Sequence, residues 1–451
     1  MKFGTDGVRG RAHEELTTEF AARLARAASR VLGPLSSGSP ATVVIGGDTR
    51  ESTAAFDEAL TLGFSSSGVD VVRMGVASTP AVAFEAQRRG AMGAVVSASH
   101  NPWFDNGIKL FAPGGTKLAD DVESAIEEVL EAESESVTPS ARNEADAGNR
   151  DGTVTMDASV EAYLDHALSV LDGRSLVGLK VVLDVSHGAA FAVAPEALRR
   201  AGADVVVVAD QPDGRNINEG CGATHPEFVA AAVLAHGADV GIALDGDADR
   251  LIAVDHLGNV VDGDHVIAIC ASDLRSRGLL AHDTVVVTVM TNLGFKLAMV
   301  EAGIEVVTTG VGDRYVLEAL NAGGWSLGGE QSGHVIFSDH ATTGDGLLSA
   351  LVLLDIVERS GRPLAEIAAD AMTSLPQVLV NVRVGERVPD VAELMANDVA
   401  EAEAGLGETG RVLLRASGTE PLIRVMVEAA TAAQAQSVAD GLAEIAAARF
   451  A

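Results

Sequence analysis

The sequence predicts an α/β protein made of successive βαβ blocks and closed by a smaller α+β unit. Short β-branched runs alternate with Ala-rich helical stretches through most of the chain. Several of those runs end directly in Gly- or Asp-rich turns, as buried strands of parallel sheets do. From about Thr373 the register changes, and strands begin to follow one another with fewer helices between them.

In the first block the predicted strands are Thr42 to Ile45, running into Gly46, Gly47 and Asp48, then Val69 to Val72 and Ala94 to Val96. Thr53 to Phe64 has a helical pattern. The stretch from Glu131 to Gly152 is polar, acidic and unpatterned, and is read as a linker. A second block holds Lys180 to Asp184, Asp204 to Val208 and Asp239 to Asp245. A third begins near Leu251 and holds Thr284 to Val289 and Glu305 to Val307. A long apolar helix then stops at Ser360, Gly361, Arg362 and Pro363. The last unit is expected to comprise strand Val378 to Val384, helix Val388 to Ala404, strands Arg411 to Arg415 and Ile423 to Glu428, and a final helix.

The chain has 451 residues, enough for about three domains. Lys and Arg total 32 against 64 Asp and Glu, a formal charge of −32. Broad nucleic-acid binding is excluded on that charge, because phosphate contacts need Lys and Arg. An anionic substrate would need a local cationic cradle built against the global field. Cys221 and Cys270 have no CxxC spacing and are read as reduced thiols. No apolar run approaches the ~18 residues of a membrane span. A Gly-rich polar motif begins at Phe3, so no signal peptide is expected and a cytoplasmic location is.

Seven short segments carry the chemistry. Ser97–Pro102 (SASHNP) follows a buried strand, so Ser99 and His100 sit at a strand's C-terminal end, where α/β proteins place sites. Asn106–Lys109 (NGIK) brings an ammonium back toward that turn. Asp245–Arg250 (DGDADR) also follows a strand. Its Asp245, Asp247 and Asp249 repel one another unless a cation sits among them, and oxygen ligands suit Mg2+ better than zinc. Gly328–His334 (GGEQSGH) offers Glu330 and Ser332 to hydroxyls, although a plain polar hairpin would read the same. Arg415–Pro421 (RASGTEP), with Arg424 beyond, combines a forked cation, hydroxyls and a glycine amide into a phosphate cradle. Phe3–Gly10 (FGTDGVRG) presents Arg9, and Gly310–Tyr315 (GVGDRY) presents Asp313 and Arg314. The last two motifs are weak alone.

The SASHNP, DGDADR, GEQSGH and RASGTEP loops occur in the order of the α-D-phosphohexomutase superfamily, which the chain resembles over essentially its whole length. Within it, FGTDGVRG, GEQSGH and GDRY make the chain most similar to the phosphoglucosamine mutase family. Ala416 departs from the Pro common there and matches related hexomutases.

The resemblance implies three related α/β domains with mixed sheets plus a smaller C-terminal α+β domain around a central cleft. The boundaries would be 1–150, 151–250, 251–370 and 371–451. It implies a phosphoserine at Ser99, with Mg2+ on Ser99, Asp245, Asp247 and Asp249. His100 and Lys109 would be the acid/base candidates, and Arg9 would add positive charge. Arg250, Asp313, Arg314, Glu330, Gln331, Ser332, His334, Arg415, Ser417, Gly418, Thr419 and Arg424 would bind a hexosamine phosphate and its 1,6-bisphosphate intermediate. No nucleic-acid or membrane partner is implied, and a homodimer is the assembly considered. A phosphomannomutase or phosphoglucomutase is the nearest rival reading. A phosphatase with an Asp nucleophile would leave the Ser99 and Arg415 loops unused. A sugar-phosphate sensor would not need Ser99, Lys109 and all three Asp.

Overall fold

The computed structural model of the chain describes residues 2–4, 6–36, 40–135, 151–416 and 421–450. The chain forms two compact units, Met1–Val289 with Glu305–Ala368, and Met290–Ile304 with Ala369–Ala451.

The larger unit holds three sheets. The first contains β1 (Val8–Arg11), β2 (Thr42–Gly47), β3 (Asp70–Val76), β4 (Met92–Val96), β5 (Asp105–Ala112), β6 (Thr116–Lys117) and β7 (Val154–Met156), in the order β1-β5-β4-β2-β3-β7 with β6 on β5. Strands β4, β2, β3 and β7 are parallel, whereas β1 and β4 flank β5 antiparallel. The second sheet has β8 (Lys180–Asp184), β9 (Asp204–Val208), β10 (Val240–Leu244), β11 (Leu251–Asp255) and β12 (Val260–Val261), ordered β12-β11-β10-β8-β9. The third has β13 (Thr284–Thr288), β14 (Glu305–Thr309), β15 (Leu327–Gly329) and β16 (Val335–Phe337), ordered β14-β13-β15-β16. All three sheets are mixed. In each, a parallel core built by βαβ crossovers ends in an antiparallel hairpin, and that hairpin carries a motif loop.

Local chemistry sets the helix limits. Helix Thr18–Leu32 starts at Thr17, whose side chain accepts from the Phe20 amide. Helix Thr79–Arg89 has Ser78 as its cap and Pro80 in its first turn, and it stops at left-handed Gly90. Helix Gly346–Ser360 runs from an Asp345 cap to left-handed Gly361, where the sequence places the break. Phe56, Phe64, Leu24, Ile45 and Ile108 form the centre of the first core and are fully excluded from water.

The smaller unit contains a three-stranded antiparallel sheet, β17 (Gln377–Arg383), β18 (Arg411–Ala416) and β19 (Leu422–Glu428), with β19 central. Helix Ala432–Phe450 buries Ala435, Ala439, Leu442 and Ala446 in that unit's core. Buried Glu428 ties the segment before helix Leu293–Glu301 to the sheet, accepting from the Leu293 amide at 2.9 Å and from Arg411 at 2.8 Å.

Two expectations need correction. The proposed linker begins inside a helix, Asp120–Glu135, and 136–150 lies outside the described residues. At its far end Gly152 donates to the Ser65 carbonyl at 2.8 Å, and a Cβ there would meet the Val69 carbonyl oxygen at 1.8 Å. The single helix expected over Val388 to Ala404 is two, Val391–Leu394 and Ala396–Leu406, which meet at Met395. Met395 is fully buried, and the break turns it into the core.

Candidate active site

The larger unit brings the serine loop and the acidic loop into contact. Ser99 lies just beyond β4, is buried, and holds a left-handed φ of 52°. Its Oγ donates to Asp245 Oδ2 at 2.6 Å and lies 3.3 Å from His100 Nδ1. Gly246 makes this approach sterically feasible, because a Cβ there would fall 2.6 Å from the Ser99 carbonyl oxygen.

Asp245, Asp247 and Asp249 are all buried beyond the end of β10, and one carboxylate oxygen from each lies within 4.8 Å of the others. The small spacers matter here, since Ala248 adopts a left-handed φ of 57°. Lys109 on β5 reaches in and donates to Asp247 Oδ2 at 2.7 Å and Asp249 Oδ2 at 3.0 Å. Its ammonium also lies 2.7 Å from Asp6 Oδ2. Thr79 adds a hydroxyl donor to Asp247 at 2.6 Å. The outer oxygens, Asp247 Oδ1 and Asp249 Oδ1, are buried and have no hydrogen-bond partner among the described residues. Oxygens of that kind are costly unless something binds them. An all-carboxylate set with buried, unpartnered oxygens fits a hard divalent cation.

Burial and the neighbouring Asp249 and Asp247 charges push Asp245 well above the usual carboxylate range. Burial acts the same way on Asp249, but Lys109 and His334 outweigh it and hold that carboxyl well below the range. Burial also works against the Lys109 ammonium, yet Asp247, Asp249 and Asp6 keep it well above its ordinary value. Burial, with Arg250 and Arg9 nearby, lowers His100 to about 4.

A cleft of about 390 Å³ opens beside this cluster, lined by Arg9, His100, Arg250, Glu330 and His334 among others. That volume suits a small ligand. Arg9 on β1 is anchored by Asp6 at 2.7 Å. Arg250 Nε lies 3.7 Å from Asp249 Oδ1. Glu330 accepts from the Gly312 amide at 3.1 Å, joining the two loops that the sequence singles out. His334 is buried, with Nε2 3.2 Å from Asp313 and 3.0 Å from the Gly344 amide nitrogen.

Other candidate residues have partners within the protein. Asp313 also pairs with Lys117. Arg314 pairs with Asp120 at 2.6 Å and Glu123 at 2.8 Å and borders a smaller adjoining recess. Gln331 donates to Asp262 at 3.4 Å, and Ser332 is exposed. In the smaller unit Arg415 and Arg424 face each other across β18 and β19. Burial and then the Arg424 charge lower Arg415 from its usual range. Ser417, Gly418 and Thr419 lie outside the described residues.

Sequence reading passes over Asp6, Thr79, Lys117, Asp48, Arg50 and Asn218. Asp6 sits inside the FGTDGVRG motif and could have been weighed with Arg9. Thr79 and Asn218 have no motif of their own, and only the packing brings them here.

Comparison with known proteins gives one consistent family. Successive segments match the alpha/beta/alpha domain I of phosphoglucomutase/phosphomannomutase over 1–137, domain II over 161–258, domain III over 262–375 and the C-terminal domain over 379–445. The chain is 56% identical to a phosphoglucosamine mutase of Frankia casuarinae, covering 98% of this chain and 97% of that protein. It is 54% identical to one of Thermobifida fusca, over 98% and 97%. A crystal structure of a phosphoglucomutase/phosphomannomutase family protein from Burkholderia thailandensis shares the fold, with a TM-score of 0.80 at 24% identity, over 98% and 97% of the two chains. With its motif loops gathered on mixed sheets and this full-length identity, the chain belongs to the phosphoglucosamine mutase family of the α-D-phosphohexomutases.

Proposed function

We propose that the chain interconverts glucosamine 6-phosphate and glucosamine 1-phosphate, with Ser99 as the resident phosphate carrier. The observation that carries this reading is the hydrogen bond of 2.6 Å from Ser99 Oγ to Asp245, at the edge of a cleft lined by cationic and hydroxyl-binding groups. Identity above half to full-length phosphoglucosamine mutases supports the substrate class. The four-part division at 1–150, 151–250, 251–370 and 371–451 goes with this reading, as does a cytoplasmic setting. No helix among the described residues is long and apolar enough to cross a membrane.

Asp245, Asp247, Asp249 and the Ser99 oxygen would hold Mg2+. Bound there, the ion supplies positive charge against the phosphoryl oxygens.

In the forward half-reaction the bond between Ser99 Oγ and phosphorus breaks, and one forms between phosphorus and a free sugar hydroxyl oxygen. The hydroxyl proton leaves as that bond forms, and Ser99 Oγ takes up a proton. The product is the 1,6-bisphosphate. The other phosphoryl group then returns to Ser99 by the reverse step. His100 lies beside Oγ, so it is the group we assign to the proton exchange: it receives the hydroxyl proton and gives one to Ser99 Oγ. Lys109 is held charged by three carboxylates and serves as fixed positive charge. Arg9 and Arg250 orient the reacting phosphate, while Glu330, Ser332 and His334 hold sugar hydroxyls. Asp313, Arg314 and Gln331 set the two sugar loops in place. Arg415, Ser417, Gly418, Thr419 and Arg424 bind the phosphate that is not reacting.

The test joins peptide mass mapping to an isomerisation assay with glucosamine 6-phosphate. Phosphate is expected on the Ser99 peptide, and Ser99→Ala should abolish turnover in a folded protein. Near-normal activity in that variant would sink the mechanism. Mannose 1-phosphate or glucose 1-phosphate turned over with higher kcat/KM would move the substrate assignment to the rival mutases.

A further inference from the structure

The carbonyl side of Ser99 is held as closely as its hydroxyl. Arg50 is wholly buried, and one nitrogen of its guanidinium donates to the Ser99 carbonyl at 3.0 Å and to the Asn101 carbonyl at 2.6 Å. Its other terminal nitrogen pairs with buried Asp48 and reaches Ser97 Oγ at 3.4 Å. Asp48 in turn accepts from Ser97 Oγ at 2.5 Å, and Ser97 Oγ accepts from the Ser99 amide at 2.9 Å. Asn218, from the second sheet's loops, donates to the same two carbonyls at 2.9 and 3.2 Å. Every polar backbone atom of Ser99 is therefore engaged, and two elements distant in sequence grip one peptide segment.

This matters because a non-glycine residue at positive φ is held there against its own preference. Such a conformation persists only when its surroundings over-determine it. Relaxed to negative φ, the Ser99 side chain would swing away from Asp245. A planar fork is needed to reach both carbonyls and Asp48 together, and a single ammonium does not have that geometry.

We infer that Arg50, seated on Asp48 and seconded by Asn218, is the positioning residue that holds Ser99 in its left-handed conformation, and so aims the phosphate-carrying oxygen. This rests on Ser99 being the carrier. Arg50 touches neither the reacting atoms nor the cleft, so its effect should fall on the transfer step and spare ground-state sugar binding.

The experiment uses the full chain with Arg50→Lys, which retains a charge against Asp48, and Asn218→Ala, which removes the second donor without stranding a buried charge. Kinetics with glucosamine 6-phosphate are read beside the rate at which glucose 1,6-bisphosphate phosphorylates the dephosphorylated chain, followed by intact mass. Losing charged hydrogen bonds at this point is expected to lower kcat and the phosphorylation rate together by about tenfold to a hundredfold in Arg50→Lys. A smaller loss of the same kind is expected in Asn218→Ala, with KM within about twofold of wild type in both. Should Arg50→Lys fail to fold, Asn218→Ala alone decides. Wild-type phosphorylation rates in a folded variant, or a loss confined to KM, would overturn the assignment. A wild-type chain that never acquires phosphate on Ser99 would instead overturn the carrier reading beneath it.

Discussion

At His100, burial and two nearby arginines act in the same direction and outweigh Asp247 and Asp249. The ring is partly enclosed and faces Arg250 and Arg9, so its folded-state ionisation falls to about 4 from an ordinary 6.5. A histidine depressed on folding binds fewer protons folded than unfolded between those two values. The stability linked to it is therefore present in full above 6.5 and drains away as pH falls toward about 4. Imidazole resonances of the metal-free protein should show His100 titrating near the lower value. Urea unfolding of His100→Gln should lose less stability than wild type between neutral pH and about pH 4.5. At this scale the sequence is legible where residue type and strand-end position coincide, as for Ser99 and the three Asp. It is silent on Asp48 and Arg50, whose roles depend on which carbonyls the packing sets before them. It also says nothing of the Arg314 pairing, because Asp120 and Glu123 look from the sequence like an ordinary acidic first turn of a helix.

Among the elements, the hairpin of β18 and β19 places Arg415 directly opposite Arg424. Two like charges at neighbouring positions of one sheet repel, and an anion placed between them would relieve that repulsion. Arg415→Ala should raise KM for the sugar phosphate by about one to two decades while kcat changes little. An unchanged KM in steady-state assays would mean that the anion is held elsewhere. Strand positions were largely legible because runs such as Lys180–Asp184 are β-branched and bounded by turns. Direction was not. Strands β5, β11 and β16 run antiparallel to their neighbours, which follows from their short hairpin connections and not from any pattern within the strands. The break at Met395 was equally hidden, since both helical segments share one apolar rhythm.

For the whole molecule, the main electrostatic fact is a charge of −32 with a buried carboxylate trio inside it. Lys109 compensates part of that trio internally, so the fold is expected to survive removal of a metal. Chelator-treated protein should keep its far-UV circular dichroism and melt in a defined transition. Added Mg2+ should raise Tm, with a contribution of about 2.7 kcal/mol once the free ion reaches about a hundred times its Kd. A chain that unfolds on chelation would show that Lys109 is not sufficient. The location of β1 has a different consequence, one of timing. It lies at a sheet edge, and its sheet partner is β5, with Val8 opposite Ile108. At about 5–20 residues per second, roughly 5–20 s of synthesis separate the two. The first strand to leave the ribosome must wait for a much later one, and Arg9 reaches its place only then. Translation order thus delays the cleft's N-terminal wall until β5 is made, while Arg250, Glu330 and His334 on its other walls follow later still.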